Sequence, residues 1–194
     1  NHKALELGFK FKNLLEISKE IAPKVDTLWM GYFNSFYQQN MDKLIPLARD
    51  IGVNGLIIPD VPYEEALLYT DLFNDNKMTN ISFVAPTDSE QRIEQIVKDA
   101  QKFIYMVAYT GITGSGQAED LQPFLSSIKK YTQTPVYVGF GVNAKTAKEK
   151  VEGADGVIVG SAFVDILLKE NLNYSQKIKE CSELAQIIKN EINS

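Results

Sequence analysis

The chain has 194 residues, is 44% hydrophobic and carries a net charge of -5. That length and apolar content suffice for one domain with a sizeable core, and an acidic balance with no basic cluster excludes nucleic acid as the main partner. A single cysteine, Cys181, excludes an intrachain disulfide framework and fits a reducing, cytoplasmic setting, and no apolar run approaches the ~20 residues of a membrane span.

Leu5 to Ile21 carries apolar residues at helical spacing, among them Leu14, Leu15, Ile17 and Ile21. Gly8 divides a short first helix from a longer second one, and Pro23 ends it. Val25 to Tyr32 reads as a strand. It runs into Tyr32-Phe33-Asn34, an aromatic and amide cluster expected to form a loop over a pocket. Met41 to Ile51 is a helix closed by Gly52. Gly55 to Ile58 is a buried strand that ends at Pro59-Asp60-Val61-Pro62. Tyr63 to Asn76 is the next helix, with Pro62 in its first turn and Glu64 and Glu65 favourably near its N-terminus. Asn80 to Ala85 is a strand, Ser89 to Ala100 a helix, and Lys102 to Val107 a strand. Ala108 to Gly116 is too polar for a strand and too glycine-rich for a helix; with the residues up to Asp120 it is expected to form a mobile loop. Leu121 to Tyr131 is helical, and a helix from Ala144 to Val151 bridges the last two strands. Asn173 to Ile192 closes the chain as an amphipathic helix with Ile178, Cys181, Leu184, Ala185 and Ile188 on one face. Cys181 there reads as a small core residue.

The last two strands organise the rest. Val136-Tyr137-Val138-Gly139-Phe140-Gly141-Val142 and Gly156-Val157-Ile158-Val159-Gly160-Ser161-Ala162 are apolar runs that break into glycine at their carboxyl ends. One βα unit apart, they fit consecutive parallel strands. Gly141, Gly160 and Ser161 are then expected side by side at one mouth of a parallel sheet. Bare N–H groups and a hydroxyl at a helix N-terminus suit an anion such as phosphate there; the other reading is that these glycines only permit tight turns. A doubly wound sheet places its phosphate turn after the first strand. Phosphate-like glycines after the last two strands are the arrangement of a (β/α)8 TIM barrel. The β-α alternation runs without a linker, so a single domain over residues 1–194 is expected, of α/β class, with about six of the eight βα units of a barrel. The remaining two are expected to precede Asn1.

Six motifs occur in order: Met30-Gly31-Tyr32-Phe33-Asn34, Pro59-Asp60-Val61-Pro62-Tyr63-Glu64-Glu65, Ala85-Pro86-Thr87, Thr110-Gly111-Ile112-Thr113-Gly114, Val138-Gly139-Phe140-Gly141-Val142 and Val159-Gly160-Ser161-Ala162. Together they resemble the tryptophan synthase alpha subunit over essentially the whole chain. The resemblance implies a barrel lyase that cleaves indole-3-glycerol phosphate into indole and glyceraldehyde 3-phosphate. It implies a beta subunit as partner, in an alpha2beta2 heterotetramer, with pyridoxal phosphate in the beta subunit and no cofactor in this one. It also places the family's general acid–base pair, a Glu ending strand two and an Asp on the loop after it, before Asn1. Breaking the C3–C1′ bond requires C3 of the indole to be protonated and the N1–H and glycerol hydroxyl protons to be removed, which are tasks for positioned acids and bases.

By the same resemblance, Gly114 joins Gly141, Gly160 and Ser161 at the phosphate, and Thr113 supports the catalytic Asp when the loop closes. Tyr105 matches a substrate-contacting tyrosine and also suits a core aromatic with a satisfied hydroxyl. Phe140, Leu56 and Tyr32 are candidates for the indole pocket, or core residues at strand ends. Asp60 works either at the subunit interface or as an N-cap to the following helix. Tyr109 departs from an arginine found in several relatives. His2, the only histidine, reads as solvated, and no His, Cys, Asp and Glu cluster has metal-ligand spacing. Two other functions compete. One is another phosphate-binding barrel of the tryptophan pathway, which the Thr-Gly-Ile-Thr-Gly loop and Pro-Asp-Val-Pro turn disfavour. The other is an inactive partner that only activates a beta subunit.

Overall fold

The structure, a computed structural model, describes residues 2–107 and 121–194. Helices and parallel strands alternate along it, and the chain divides into two compact units, residues 1–81 and 82–194.

In the first unit, α1 (His2–Glu6) and α2 (Phe11–Ile21) are separated at Gly8, and β1 (Thr27–Met30), β2 (Val53–Ile57) and β3 (Thr79–Asn80) form a parallel sheet in that order. Trp29 in β1 is buried, and its indole N–H donates to the Ser18 hydroxyl of α2 at 2.8 Å. Its ring meets Phe11 edge-on at 5.9 Å. One side chain thus supplies both apolar contact and a satisfied donor to dock α2. Short α3 (Phe33–Tyr37) leads to α4 (Met41–Asp50), whose N-terminus is capped by Asn40 Oδ1 accepting from the Asp42 N–H at 3.1 Å. Met41, Leu44, Ile45 and Ala48 form the buried stripe of α4 at helical spacing and join Trp29, Leu56, Phe73 and Met78 in the core. Full burial of each such Leu, Ile or Met stabilises by about 1.5–3 kcal/mol.

In the second unit, β4 (Ser82–Val84), β5 (Ile104–Val107), β6 (Val136–Gly139) and β7 (Gly156–Ile158) form a parallel sheet in that order. Successive residues face opposite sides. Val84, Ile104, Met106, Val136 and Val138 are buried on one face, while α7 (Glu90–Val97) buries Ile93 and Val97, and α8 (Gln122–Lys129) buries Leu125 and Ile128. The other face is aromatic: Phe83 stacks on Tyr105 and Phe103 on Tyr137, each at 4.8 Å. The start of β6 is held by Asp155, whose Oδ2 accepts from the Val136 N–H at 2.7 Å and from Lys129 Nζ. After α9 (Ala147–Val151) and α10 (Ser161–Leu167), α11 (Tyr174–Ile192) begins with a reciprocal cap between Asn173 and Gln176.

Several expectations are corrected. Tyr32-Phe33-Asn34 is not a loop but the start of α3, because Phe36 buries beneath it and a distant carboxylate takes its first N–H. The helix expected over Tyr63 to Asn76 breaks into α5 (Tyr63–Ala66), a 3-10 turn (Leu67–Tyr69) and α6 (Thr70–Asp75). Leu67 and Leu68 are exposed, so no continuous apolar stripe holds a longer helix, and Tyr69 packs on Phe33 at 5.8 Å. The strand Asn80 to Ala85 is interrupted at Ile81: β3 pairs with β2, and β4 with β5. The helix expected from Ala144 begins only at Ala147. Asn143 Oδ1 accepts from the Lys145 N–H and Thr146 Oγ1 from the Asn143 N–H, a local bonding pattern that competes with helix. On α11, Ile188 is buried and Leu184 and Cys181 are half-buried, but Ile178 and Ala185 are exposed; the packed stripe is Leu184, Ile188 and Ile192, one turn apart.

Candidate functional site

The carboxyl ends of β6 and β7 carry the candidate phosphate residues. The register pairs Tyr137 with Gly156, Val138 with Val157 and Gly139 with Ile158. Gly141 and Gly160 each lie two residues beyond the last pair, Gly139 and Ile158. The backbone turns sharply between: Phe140 has φ +73° and Gly141 φ +69°. A left-handed conformation is ordinary for glycine and costly for phenylalanine. The turn is held from behind, with the Thr146 hydroxyl donating to the Gly141 carbonyl at 2.7 Å.

Gly160 differs. Its φ is -122° and its ψ -78°, and a Cβ added to it would meet nothing within 4 Å among the described residues. Neither a left-handed φ nor a packing clash with a described residue requires glycine there. What a missing side chain leaves is room for close approach of something else to the backbone. Ser161 opens α10 and is exposed. The internal bonding of α10 begins with the Phe163 N–H on the Gly160 carbonyl at 3.1 Å. The N–H groups of Ser161 and Ala162, with the Ser161 hydroxyl, are therefore the donors this end offers to an anion.

Tyr105 lies on β5, only 5% exposed. It stacks on Phe83 and meets Phe140 edge-on, 6.3 Å between centroids. Burial pushes its phenol up from the ordinary value, so it is neutral near pH 7 and able to donate. The ring fits because its neighbour is Gly139: a Cβ there would overlap the Tyr105 ring and hydroxyl. Gly139 is a residue that the sequence reading missed as a site residue. A glycine inside a strand, next to a strand of aromatics, is the signal that points to it. Phe140 is 55% exposed, its ring projecting beyond the stack.

In the first unit, Tyr32 precedes α3 and is 63% exposed, while Leu56 in β2 is fully buried within the core. Asp60, three residues beyond the strand-end Ile57, is exposed, and its Oδ1 accepts from the Phe33 N–H at 2.7 Å. It therefore caps α3 and not the helix that follows it. That next helix, α5, begins after Pro62 with no side-chain cap. Thr113, Gly114, Tyr109 and the side chain of His2 lie outside the described residues. Among the described residues, no three His, Cys, Asp or Glu side chains group as a metal site, and no helix is long and apolar enough to cross a membrane.

Comparison with known proteins gives one family. The model of the tryptophan synthase alpha chain family matches residues 1–193. The tryptophan synthase alpha chain of Wolinella succinogenes is 47% identical over 195 residues, an overlap spanning 100% of this chain and 76% of that relative. Among solved structures, the tryptophan synthase alpha subunit of Campylobacter jejuni superposes with a TM-score of 0.80 at 29% identity, covering 97% of this chain and 72% of that one. A chain from the Pyrococcus furiosus tryptophan synthase a2b2 complex superposes with a TM-score of 0.84 at 25% identity, over 97% of this chain and 77% of that one.

Proposed function

The chain belongs to the tryptophan synthase alpha chain family, and from that premise we propose where it holds its substrate. The family fold is the α/β barrel, and its activity is that of a lyase, cleaving indole-3-glycerol phosphate into indole and glyceraldehyde 3-phosphate. The family match runs across both compact units, which supports reading them as parts of one domain.

In this reading the phosphate sits on the Gly160–Ser161 turn, against the first N–H groups of α10 and near Gly141; Gly114 adds a further backbone contact. The observation that carries it is the open space at Gly160, a glycine for which the fold itself has no use. The indole ring lies against the exposed Phe140, and the exposed Tyr32 is a further candidate contact to the substrate; Leu56, fully buried, stays a core residue. The buried, neutral Tyr105 hydroxyl orients the substrate as a hydrogen-bond donor. Anchoring the phosphate fixes the distance from the glycerol chain to the indole, which is what converts a flexible substrate into one poised for C3–C1′ cleavage. Thr113 supports the catalytic carboxylate on loop closure. The proton transfers at C3, N1 and the glycerol hydroxyl are assigned to no residue of this chain.

A beta subunit is the partner in this reading, in an alpha2beta2 assembly like that of the Pyrococcus furiosus complex. Pyridoxal phosphate is then carried by the beta subunit, and both act in the cytoplasm. Asp60 is the candidate residue at the contact.

The test is Gly160→Asp in the full-length subunit, with calorimetric titration of a phosphorylated substrate analogue. The added carboxylate fills the open space and opposes the phosphate charge, so affinity falls at least ~100-fold, about 2.7 kcal/mol, while near-UV circular dichroism is retained. Unchanged affinity in the folded variant overturns the site.

A further inference from the structure

We infer that Asp60 is a positioning residue for the alpha reaction, holding the Tyr32 turn from across the sheet. The inference rests on the reading of Tyr32 as a substrate contact. It follows the hydrogen bonding between β1 and β2 to its end. The strands pair in parallel up to Met30 and Ile57, and the Gly31 N–H extends the ladder by donating to the Ile57 carbonyl at 3.1 Å. Beyond that point α3 turns away, and its first N–H groups lose any backbone partner in the sheet. The residue before α3, Tyr32, provides no side-chain cap. The acceptor comes instead from 27 residues further along the chain: Asp60 Oδ1 takes the Phe33 N–H at 2.7 Å. A carboxylate at a helix N-terminus also opposes the partial positive charge there.

The rest of α3 is pinned by packing. Phe36 is buried, so close under Gly31 that a Cβ there would lie 3.2 Å from its ring. Phe33 packs on Tyr37 at 5.5 Å and on Tyr69 at 5.8 Å. Tyr32 is 63% exposed, with no ring contact among the described residues. Its direction is therefore set by the backbone at Tyr32–Phe33. Asp60 is the side chain that hydrogen-bonds that backbone.

The experiment compares Asp60→Ala, Asp60→Asn, Tyr32→Ala and the Asp60→Ala/Tyr32→Ala pair in the full-length subunit, alone and with the beta subunit. Indole release from indole-3-glycerol phosphate gives kcat and KM, and amide hydrogen exchange reads the Phe33 N–H directly. Asp60→Ala is expected to raise KM about fivefold to tenfold with kcat within about twofold, and to speed Phe33 exchange about tenfold. Asp60→Asn keeps an acceptor oxygen and restores both. In the Tyr32→Ala background, Asp60→Ala adds nothing to KM. An unchanged KM in Tyr32→Ala overturns the reading of Tyr32 and this inference with it. A raised KM in Tyr32→Ala beside an unchanged Asp60→Ala overturns the inference alone. An effect of Asp60→Ala seen only with the beta subunit present also overturns it, in favour of a direct subunit contact.

Discussion

The two ends of the β6–β7 pair are built on opposite principles. At the amino end, protein groups hold the strand start: the Val136 N–H and Lys129 both bind Asp155, and Val136 is fully buried. At the carboxyl end, a phenylalanine and a glycine take left-handed backbone, Phe140 projects, and Gly160 faces open space. Between the two lies Gly139, whose missing side chain is filled by Tyr105. The difference separates the residues a parallel α/β sheet uses for stability from those it keeps for ligands. It also separates two kinds of glycine: one that admits a protein side chain and one that admits something from outside.

Among single-methyl changes and truncations along this pair, the largest combined effect on stability and turnover is expected at Gly139. Alanine there must push aside a ring that is stacked on Phe83 and is not the free end of a flexible chain. Overpacking of this kind costs about 1–3 kcal/mol. The displaced hydroxyl is also the one proposed to orient substrate, so kcat/KM is expected to fall about tenfold or more. Chemical denaturation and indole-release kinetics measure the two effects. In a Tyr105→Ala background both should largely vanish, since the ring that clashes is gone. Undiminished costs in that background would show that Gly139 acts through some other neighbour.

At the amino end the expected effect is on stability alone. Asp155→Ala removes the acceptor from the buried Val136 N–H, at a cost of about 1–3 kcal/mol, and leaves kcat and KM unchanged within about twofold. The pH dependence follows from the charge. Burial raises the Asp155 carboxyl, but the Lys129 ammonium and the Val136 N–H outweigh it and hold the group below its ordinary value. A lowered folded pKa contributes stability above the unfolded value, near 4, that is lost as pH falls through the folded one. The wild-type protein should thus lose more stability below about pH 4 than Asp155→Asn, which keeps an acceptor but does not titrate. Parallel acid curves for the two would remove the charge from the account.

The same contrast explains what the sequence made legible. Periodic apolar runs and helix caps report burial, so the alternation of strands and helices was readable. So was the placement of Gly141, Gly160 and Ser161 at two strand ends. Interactions between residues far apart in the chain were not. Nothing near Phe33 marks it as a helix start, because its acceptor is Asp60. Gly139 is marked only as a glycine inside an apolar strand, and what fills it, the Tyr105 ring, comes from a neighbouring strand that is distant in the chain. The Tyr63 to Asn76 segment failed for a different reason: Leu67 and Leu68 in its middle are exposed, while Leu72 packs on the core, so no continuous apolar stripe holds one long helix.

The smallest effect on the fold, and the sharpest on the comparison, belongs to Gly160→Ala. The added methyl meets nothing within 4 Å among the described residues, and φ, at -122°, lies outside the left-handed region. If the protein alone decided the identity of this residue, alanine would serve as well as glycine, and stability should change by no more than about 0.5 kcal/mol. A phosphate seated on the Ser161 and Ala162 N–H groups would have to move outward to clear the methyl, lengthening both hydrogen bonds. Affinity for a phosphorylated substrate analogue is then expected to fall about tenfold, or 1.4 kcal/mol. Thermal denaturation and calorimetric titration of one preparation give the two numbers. A stability loss as large as that of Gly139→Ala would make Gly160 a packing glycine after all. Unchanged affinity with unchanged stability would leave the open space without a ligand and move the phosphate elsewhere along the strand ends.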